Sequence, residues 1–136
     1  EFDEFQPSVA GQPVDLSGNE LPRAPDLTGS VLARYTLPVP GGAVTFQGSY
    51  LYHGKEFYSE MNDAVEWGPS YGLFGARIEY TRDDQPWSVA LWGENLGNKR
   101  YYVGRDYQSS YEVLQHQIGM PRTYGISFKY SFGGGF

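Results

Sequence analysis

From Arg122 to Phe132 the chain alternates without a fault. Tyr124, Ile126, Phe128, Tyr130 and Phe132 fall on one side, and Thr123, Gly125, Ser127, Lys129 and Ser131 on the other. Successive side chains of a strand point to opposite faces, so this stretch predicts a strand with one apolar wall and one polar wall. The same code runs through Leu27 to Leu37. There Leu27, Gly29, Val31, Ala33, Tyr35 and Leu37 oppose Thr28, Ser30, Arg34 and Thr36, and Leu32 alone breaks the order. Val44 to about Phe57 places Val44, Phe46, Gly48, Tyr50 and Tyr52 against Thr45, Gln47, Ser49, His53 and Lys55, with Leu51 the exception. Tyr71 to Arg82 sets Phe74, Ala76, Ile78 and Tyr80 against Gly75, Arg77, Glu79 and Thr81. Trp87 to about Tyr102 sets Trp87, Val89, Leu91 and Gly93 against Ser88, Ala90, Trp92 and Glu94.

The connections sort by length. Gln6 to Asp26 carries Pro7, Pro13, Pro22 and Pro25 and predicts a long loop, because proline blocks both helices and central strands. Pro38 to Gly42 and Asp83 to Pro86 predict short turns. Tyr58 to Ser70 is a long loop, and Gly104 to Met120 is a loop or partly strand extension. Val113 to Ile118 has room for a helical turn. No segment carries a 3.6-residue apolar stripe, so no long helix is expected. In an up-and-down meander, alternate connections share an end, so one end gathers the short turns and the other the long loops. That asymmetry, with spans of 11 to 16 residues, favours strands that cross a bilayer over the shorter strands of a soluble sheet. A half-buried sheet of a soluble sandwich shows the same alternation and stays open at this point.

Composition adds to the β reading. Aromatic residues make up 17% of the 136, and there are 18 Gly, an all-β bias. No run of about 18 to 20 apolar residues exists for a membrane helix, which leaves barrel strands untouched. The net charge of −6 argues against a nucleic-acid partner. With no Cys, disulfides, thiolate metal sites and Cys nucleophiles are excluded. No metal site, cofactor site or catalytic residue is expected. Asp83-Asp84 is a turn, Glu60, Asp63 and Glu66 lack EF-hand spacing, and no phosphate loop, dinucleotide fingerprint or Gly-x-Ser-x-Gly occurs. Glu1-Phe-Asp-Glu-Phe-Gln reads as the end of a strand rather than a signal peptide, so a C-terminal piece of a longer protein is expected.

Three motifs carry a resemblance. Gly18-Asn-Glu-Leu-Pro-Arg-Ala-Pro25 stands ahead of the first strand. Asn95-Leu-Gly-Asn-Lys-Arg-Tyr101 follows Trp87-Ser-Val-Ala-Leu-Trp-Gly-Glu94. Gly119-Met-Pro-Arg-Thr-Tyr-Gly125 leads into the last strand. Their order and spacing resemble the C-terminal end of the β-barrel of TonB-dependent outer-membrane receptors. The resemblance implies an all-β, antiparallel up-and-down meander: about five strands and a stub, spanning residues 1–136, of a 22-stranded transmembrane barrel. The plug, with its TonB-contacting segment, would lie outside this chain. It further implies TonB-driven uptake of a scarce ligand, whether siderophore-iron, cobalamin or a glycan. The partners would be outer-membrane lipid, the remaining strands and plug of the parent, TonB and the barrel-assembly machinery. The competing reading is a secreted or periplasmic β-sandwich that binds glycans through exposed aromatics. A small complete barrel would need about eight strands, more than are counted here.

Within that frame, two sets of residues are candidates. Tyr58, Glu60, Asn62, Asp63, Glu66, Trp67, Tyr107 and Tyr111 lie in the two long connections expected at the exterior. Acidic, amide and aromatic groups there are suited to holding a ligand, although solvated variable loops have the same composition. Tyr124, Gly125, Phe128, Tyr130 and Phe132 match the aromatic final-strand signal of outer-membrane proteins, with Phe132 or Phe136 as the terminal anchor. Such aromatics also simply coat a lipid face. Arg34, Gln47, His53, Arg77, Glu79, Glu94 and Lys129 read as a wet lumen wall whose polar groups pair across strands. Asn95 to Tyr101 reads as a bulge or kink at the barrel rim.

Overall fold

The computed structural model describes residues 3–9, 11–108 and 110–132, and its regular structure there is all strand. In chain order the strands are β1 (Ser8–Val9), β2 (Gln12–Pro13), β3 (Thr28–Val39), β4 (Gly42–His53), β5 (Glu56–Phe57) and β6 (Trp67–Gly68). They continue with β7 (Tyr71–Arg82), β8 (Trp87–Glu94), β9 (Tyr102–Gln108), β10 (Val113–Ile118) and β11 (Thr123–Tyr130). The chain divides into two units. The first collects Glu1–Thr28, His53–Tyr71 and Arg100–Gly119; the second collects Gly29–Tyr52, Gly72–Lys99 and Met120–Phe136. The long connections therefore cluster with one another, and both short turns belong to the other unit.

The second unit is one sheet in the order β11-β8-β7-β4-β3, an antiparallel meander with β3 and β11 at its edges. Register aligns the walls that the alternation predicts. Ile78 stands beside Leu91 and Leu91 beside Ile126; Tyr80 stands beside Val89 and Val89 beside Phe128. This apolar wall lies open, with Tyr124 79%, Ile126 72% and Phe128 67% exposed, while the buried hydrophobic side chains among the described residues are Leu16 and Ala90. Ala90 sits on the polar side, between Glu79 and Ser127. Such a sheet is inverted relative to a soluble domain, whose apolar face is buried.

Aromatic rings band this open wall at two levels. Tyr80 packs on Trp87 at 5.8 Å, Trp87 on Phe128 at 6.2 Å and Tyr130 on Phe132 at 4.5 Å. At the other level Tyr50 meets Phe74 at 4.6 Å. Along β7, Phe74 and Tyr80 are six residues apart, roughly 20 Å of strand. Ala76, Ile78, Val89, Leu91 and Ile126 fill the interval. Aliphatic residues between two girdles of rings match the lipid-facing band of a membrane barrel, about 25 Å tall.

The opposite wall is polar and paired. The Arg34 guanidinium donates to Gln47 Oε1 at 2.7 and 3.2 Å, and Thr36 and Thr45 hydroxyls meet at 3.0 Å. Arg77 donates to Glu79 at 3.3 Å, and Ser88 Oγ donates to Glu79 Oε1 at 2.8 Å. Trp92 lies across Gly125, where an added Cβ would come within 2.7 Å of the indole. Gly125 thus provides the room that a large ring on the neighbouring strand occupies. His53 ends β4 at a position that alternation places on the same face as Gln47 and Ser49. It is placed in the first unit, 3.1 Å from Glu56 and stacked on Tyr71 at 5.0 Å.

Several boundaries differ from the sequence reading. β3 runs two residues past Leu37 and takes in Pro38, which an edge strand tolerates because it need not donate on its open side. The turn shrinks to Pro40-Gly41, with Gly41 at φ 82° in the conformation that glycine adopts without cost. The strand expected to reach Phe57 ends at His53 and resumes as β5, which pairs with β6, while Gly54 N–H donates to Leu27 O. The proline-rich stretch forms a small ladder, β1 with β2, despite Pro13. The helical turn at Val113–Ile118 does not form. Those residues are β10, paired with β9, because Gln115 and Gln117 alternate with Leu114 and His116 and β9 supplies the backbone partners.

β8 stops at Glu94, eight residues before the expected Tyr102, and Asn95 is the cause. It takes φ 48° and is only 4% exposed. Its Nδ2 donates to Lys99 O at 2.8 Å and Met120 O at 3.0 Å, while Oδ1 accepts from Lys99 N–H at 2.8 Å. Asn98, at φ 49°, accepts from Arg122 N–H at 3.3 Å. One carboxamide therefore ends β8 and holds the approach to β11. Asn95→Ala in the parent receptor should cost about 2–4 kcal/mol, combining the loss of its bonds to Lys99 and Met120 with left-handed strain. Asn95→Gly relieves only the strain and should recover about 1–2 kcal/mol of that loss. Denaturant unfolding of the two variants checks this, and equal stabilities would refute the strain component.

Candidate functional site

The first unit is laced together by its three chain segments. Residues 23–27 run beside 54–57, with Arg23 N–H donating to Phe57 O at 2.7 Å and Asp26 N–H to Lys55 O at 3.1 Å. β5 pairs with β6, Glu56 facing Gly68 and Phe57 facing Trp67. β9 and β10 form a hairpin whose register slips between Gln117 and Ile118. This scaffold decides what each candidate side chain does.

Four of the eight candidates join the lacing. Glu66 is buried; its Oε1 accepts from Tyr107 N–H at 2.8 Å, and its backbone carbonyl accepts from Tyr58 N–H at 2.8 Å. Trp67 presents its carbonyl to Arg105 Nη1 at 2.9 Å. Tyr58 lies over Gly68 and donates its hydroxyl to Tyr102 O at 3.0 Å. Asn62 takes φ 52° and clasps Glu20, accepting from its N–H at 2.7 Å and donating to its carbonyl at 3.0 Å. The other four present side chains to solvent: Glu60, Asp63, Tyr107 and, most of all, Tyr111. The candidates therefore split between a framework and an outer rim, and they do not converge on one point.

Residues outside the sequence-derived set line a concavity that Tyr58 enters. Arg23, Arg105, Asp106, Gln115 and Gln117 surround about 230 Å³ there. Arg105 is fixed at its outer end by Trp67 and by the Tyr102 ring, 4.1 Å from its guanidinium carbon. The signal that would have found Gln115 and Gln117 is their two-residue spacing, which places both on one face once Val113–Ile118 is read as a strand. Arg23 lies inside the Gly18–Pro25 motif, where the sequence marks a loop position and not a site. Among the described residues, no group of three His, Asp or Glu side chains is arranged to hold a metal ion.

Burial and the nearby Glu56 carboxylate push the Tyr58 phenol up to about 12. A raised phenol stays neutral in the fold where the unfolded chain would ionise. Its stabilisation is therefore complete below pH 10, the unfolded value, and lost as pH rises through about 12. Subtracting the 295 nm titration of Tyr58→Phe from that of the parent protein should leave one phenol titrating near pH 12; one near 10 would contradict the burial argument. Glu66→Ala removes the acceptor of Tyr107 N–H and should cost about 1.5–3 kcal/mol of stability.

Comparison with known proteins agrees with this architecture. A family model described as TonB dependent receptor-like, beta-barrel, matches residues 3–96. The ferric-pyoverdine receptor PbuA of a Pseudomonas species is 40% identical over 67 residues, 48% of this chain and 7% of that relative. The ferric yersiniabactin uptake receptor FyuA from Yersinia pestis superposes with a TM-score of 0.79 at 18% identity, over 87% of this chain and 18% of its own. BauA, the ferric preacinetobactin receptor from Acinetobacter baumannii, superposes with a TM-score of 0.65 at 21% identity, over 85% of this chain and 16% of its own. At those identities the structural likeness establishes the fold alone, and the chain spans less than a fifth of each of these relatives. With the match over residues 3–96, the motif order and a sheet that turns its apolar face outward, the chain belongs to the β-barrel of the TonB-dependent receptors of the outer membrane.

Proposed function

We propose that the parent receptor takes up a ferric siderophore in a TonB-dependent manner. The relatives carry this reading: PbuA, FyuA and BauA are each named for a ferric siderophore. Cobalamin and glycan, the other cargoes that the family resemblance implies, gain no support from them. The soluble sandwich loses ground for a physical reason, since its apolar sheet face would be buried and here it lies open. This chain supplies a C-terminal part of the barrel wall, with the plug and its TonB contact carried elsewhere in the parent. The exposed Glu60, Asp63, Tyr107 and Tyr111 form the rim that the cargo meets, and Tyr58, Asn62, Glu66 and Trp67 hold that rim in shape.

The last strand has a second task in this reading. Tyr124, Phe128, Tyr130 and Phe132 lie on the open wall at an unpaired edge, with Gly125 behind them under Trp92. The barrel-assembly machinery reads this edge before it pairs. Phe132, 87% exposed, is the anchor among the described residues; Phe136, the alternative anchor, lies outside them.

Deleting the parent gene should abolish uptake of radiolabelled iron carried by its siderophore, and complementation should restore it. Unchanged iron uptake with loss of cobalamin or glycan uptake would overturn the cargo assignment. Phe132→Ala should lower the receptor in the outer membrane several-fold without changing uptake per assembled molecule. Normal levels of that variant would remove the assembly role.

A further inference from the structure

The concavity in the first unit is built from charged and amide groups. Arg23, Tyr58, Arg105, Asp106, Gln115 and Gln117 line about 230 Å³. We propose that it binds one carboxylate-bearing, amide-rich group of the cargo, gripping the organic shell rather than the iron. The proposal takes its cargo from the siderophore reading but its chemistry from the lining alone.

Arg23 is the anchor. Its backbone is held in the left-handed region at φ 57°, with its N–H committed to Phe57 O, so the side chain leaves the scaffold from a fixed point. Its guanidinium has no carboxylate partner among the described residues. Arg105 is the second cation. Nη1 is spent on Trp67 O, whereas Nε is shielded from solvent without a partner. Asp106 opposes them within the lining and the Glu56 carboxylate stands beside Tyr58, so the charges balance in number, and an anion is drawn by the unspent guanidinium donors of Arg23 and Arg105 rather than by a net positive charge.

Gln115 and Gln117 supply both amide donors and amide acceptors, the complement of peptide-like groups. Size sets the remaining limit. The hollow falls below the roughly 300–1,000 Å³ of sites that enclose a drug-sized ligand. It has room for one substituent and not for a whole metal complex.

The test uses two small probes on the intact parent receptor in detergent micelles. N-acetylglutamate N-methylamide carries the carboxylate, and N-acetylglutamine N-methylamide replaces it with a neutral amide. Ligand-observed NMR titrations should show the first binding at least about tenfold tighter, the worth of one charge-assisted contact. Arg23→Gln should erase the difference and Arg23→Lys should retain part of it. Gln117→Leu should weaken both probes alike. Heat-modifiable gel mobility confirms that each variant is a folded barrel. Equal binding of the two probes, no binding of either, or a preference that survives Arg23→Gln would overturn the proposal. Iron uptake is measured in parallel. A carboxylate preference in a receptor that imports no ferric siderophore would sink the cargo reading and leave the subsite standing.

Discussion

Strand-to-strand hydrogen bonding is the constraint on which this sheet depends. A bilayer interior offers no water to a peptide group, so each N–H and C=O of a spanning segment must find a neighbouring strand. Once β8 is paired with β7 and with β11, the side chains can be as apolar outward as lipid requires. Ile78, Leu91 and Ile126 line up across three strands for that reason. A soluble protein gains stability by hiding such residues. Here they remain open, and stability comes from the ladder, the ring girdles and a polar wall whose groups satisfy one another.

The polar wall and the apolar wall meet different demands at the same positions along the strand. Glu79 accepts from both Arg77 and Ser88, while its neighbours on the chain, Ile78 and Tyr80, face the other way. Trp92 breaks the polar rule by chemistry and keeps it by geometry. Its ring covers Gly125 on the adjacent strand, so a large side chain on the inner face is accommodated by the absence of one beside it. Ala90, small and buried on that same face, fits between Glu79 and Ser127 for the same steric reason.

The first unit follows another logic. It buries few of its apolar residues, Leu16 being the buried hydrophobic one among the described residues, and it is knitted by side chains that bond to backbone. Asn62 on Glu20, Glu66 on Tyr107 and Tyr58 on Tyr102 each join segments more than forty residues apart in sequence. Exposed polar residues bring no stabilising burial, so these few charge-assisted and buried bonds carry a larger share. The same device appears in the second unit at Asn95, where one amide replaces a continuing strand.

The alternation of Tyr124 to Phe132, and of the four strands before it, decided by itself that this is a sheet with one apolar and one polar wall. A two-residue period leaves no other solution. The order of long and short connections also stood in the sequence, as did the meander and its two edges. The ends of strands did not. Whether β8 continued to Tyr102 depended on Met120, whose carbonyl claims the Asn95 side chain from twenty-five residues away. Whether Val113 to Ile118 coiled or extended depended on β9 being there to pair with it. The candidate loop residues were legible as types, but their roles were not. Glu66 and Asp63 look alike in sequence, yet one is buried against Tyr107 N–H and the other faces water. Local pattern sets which face a side chain takes, and only the chain's return from a distance sets which partner it finds there.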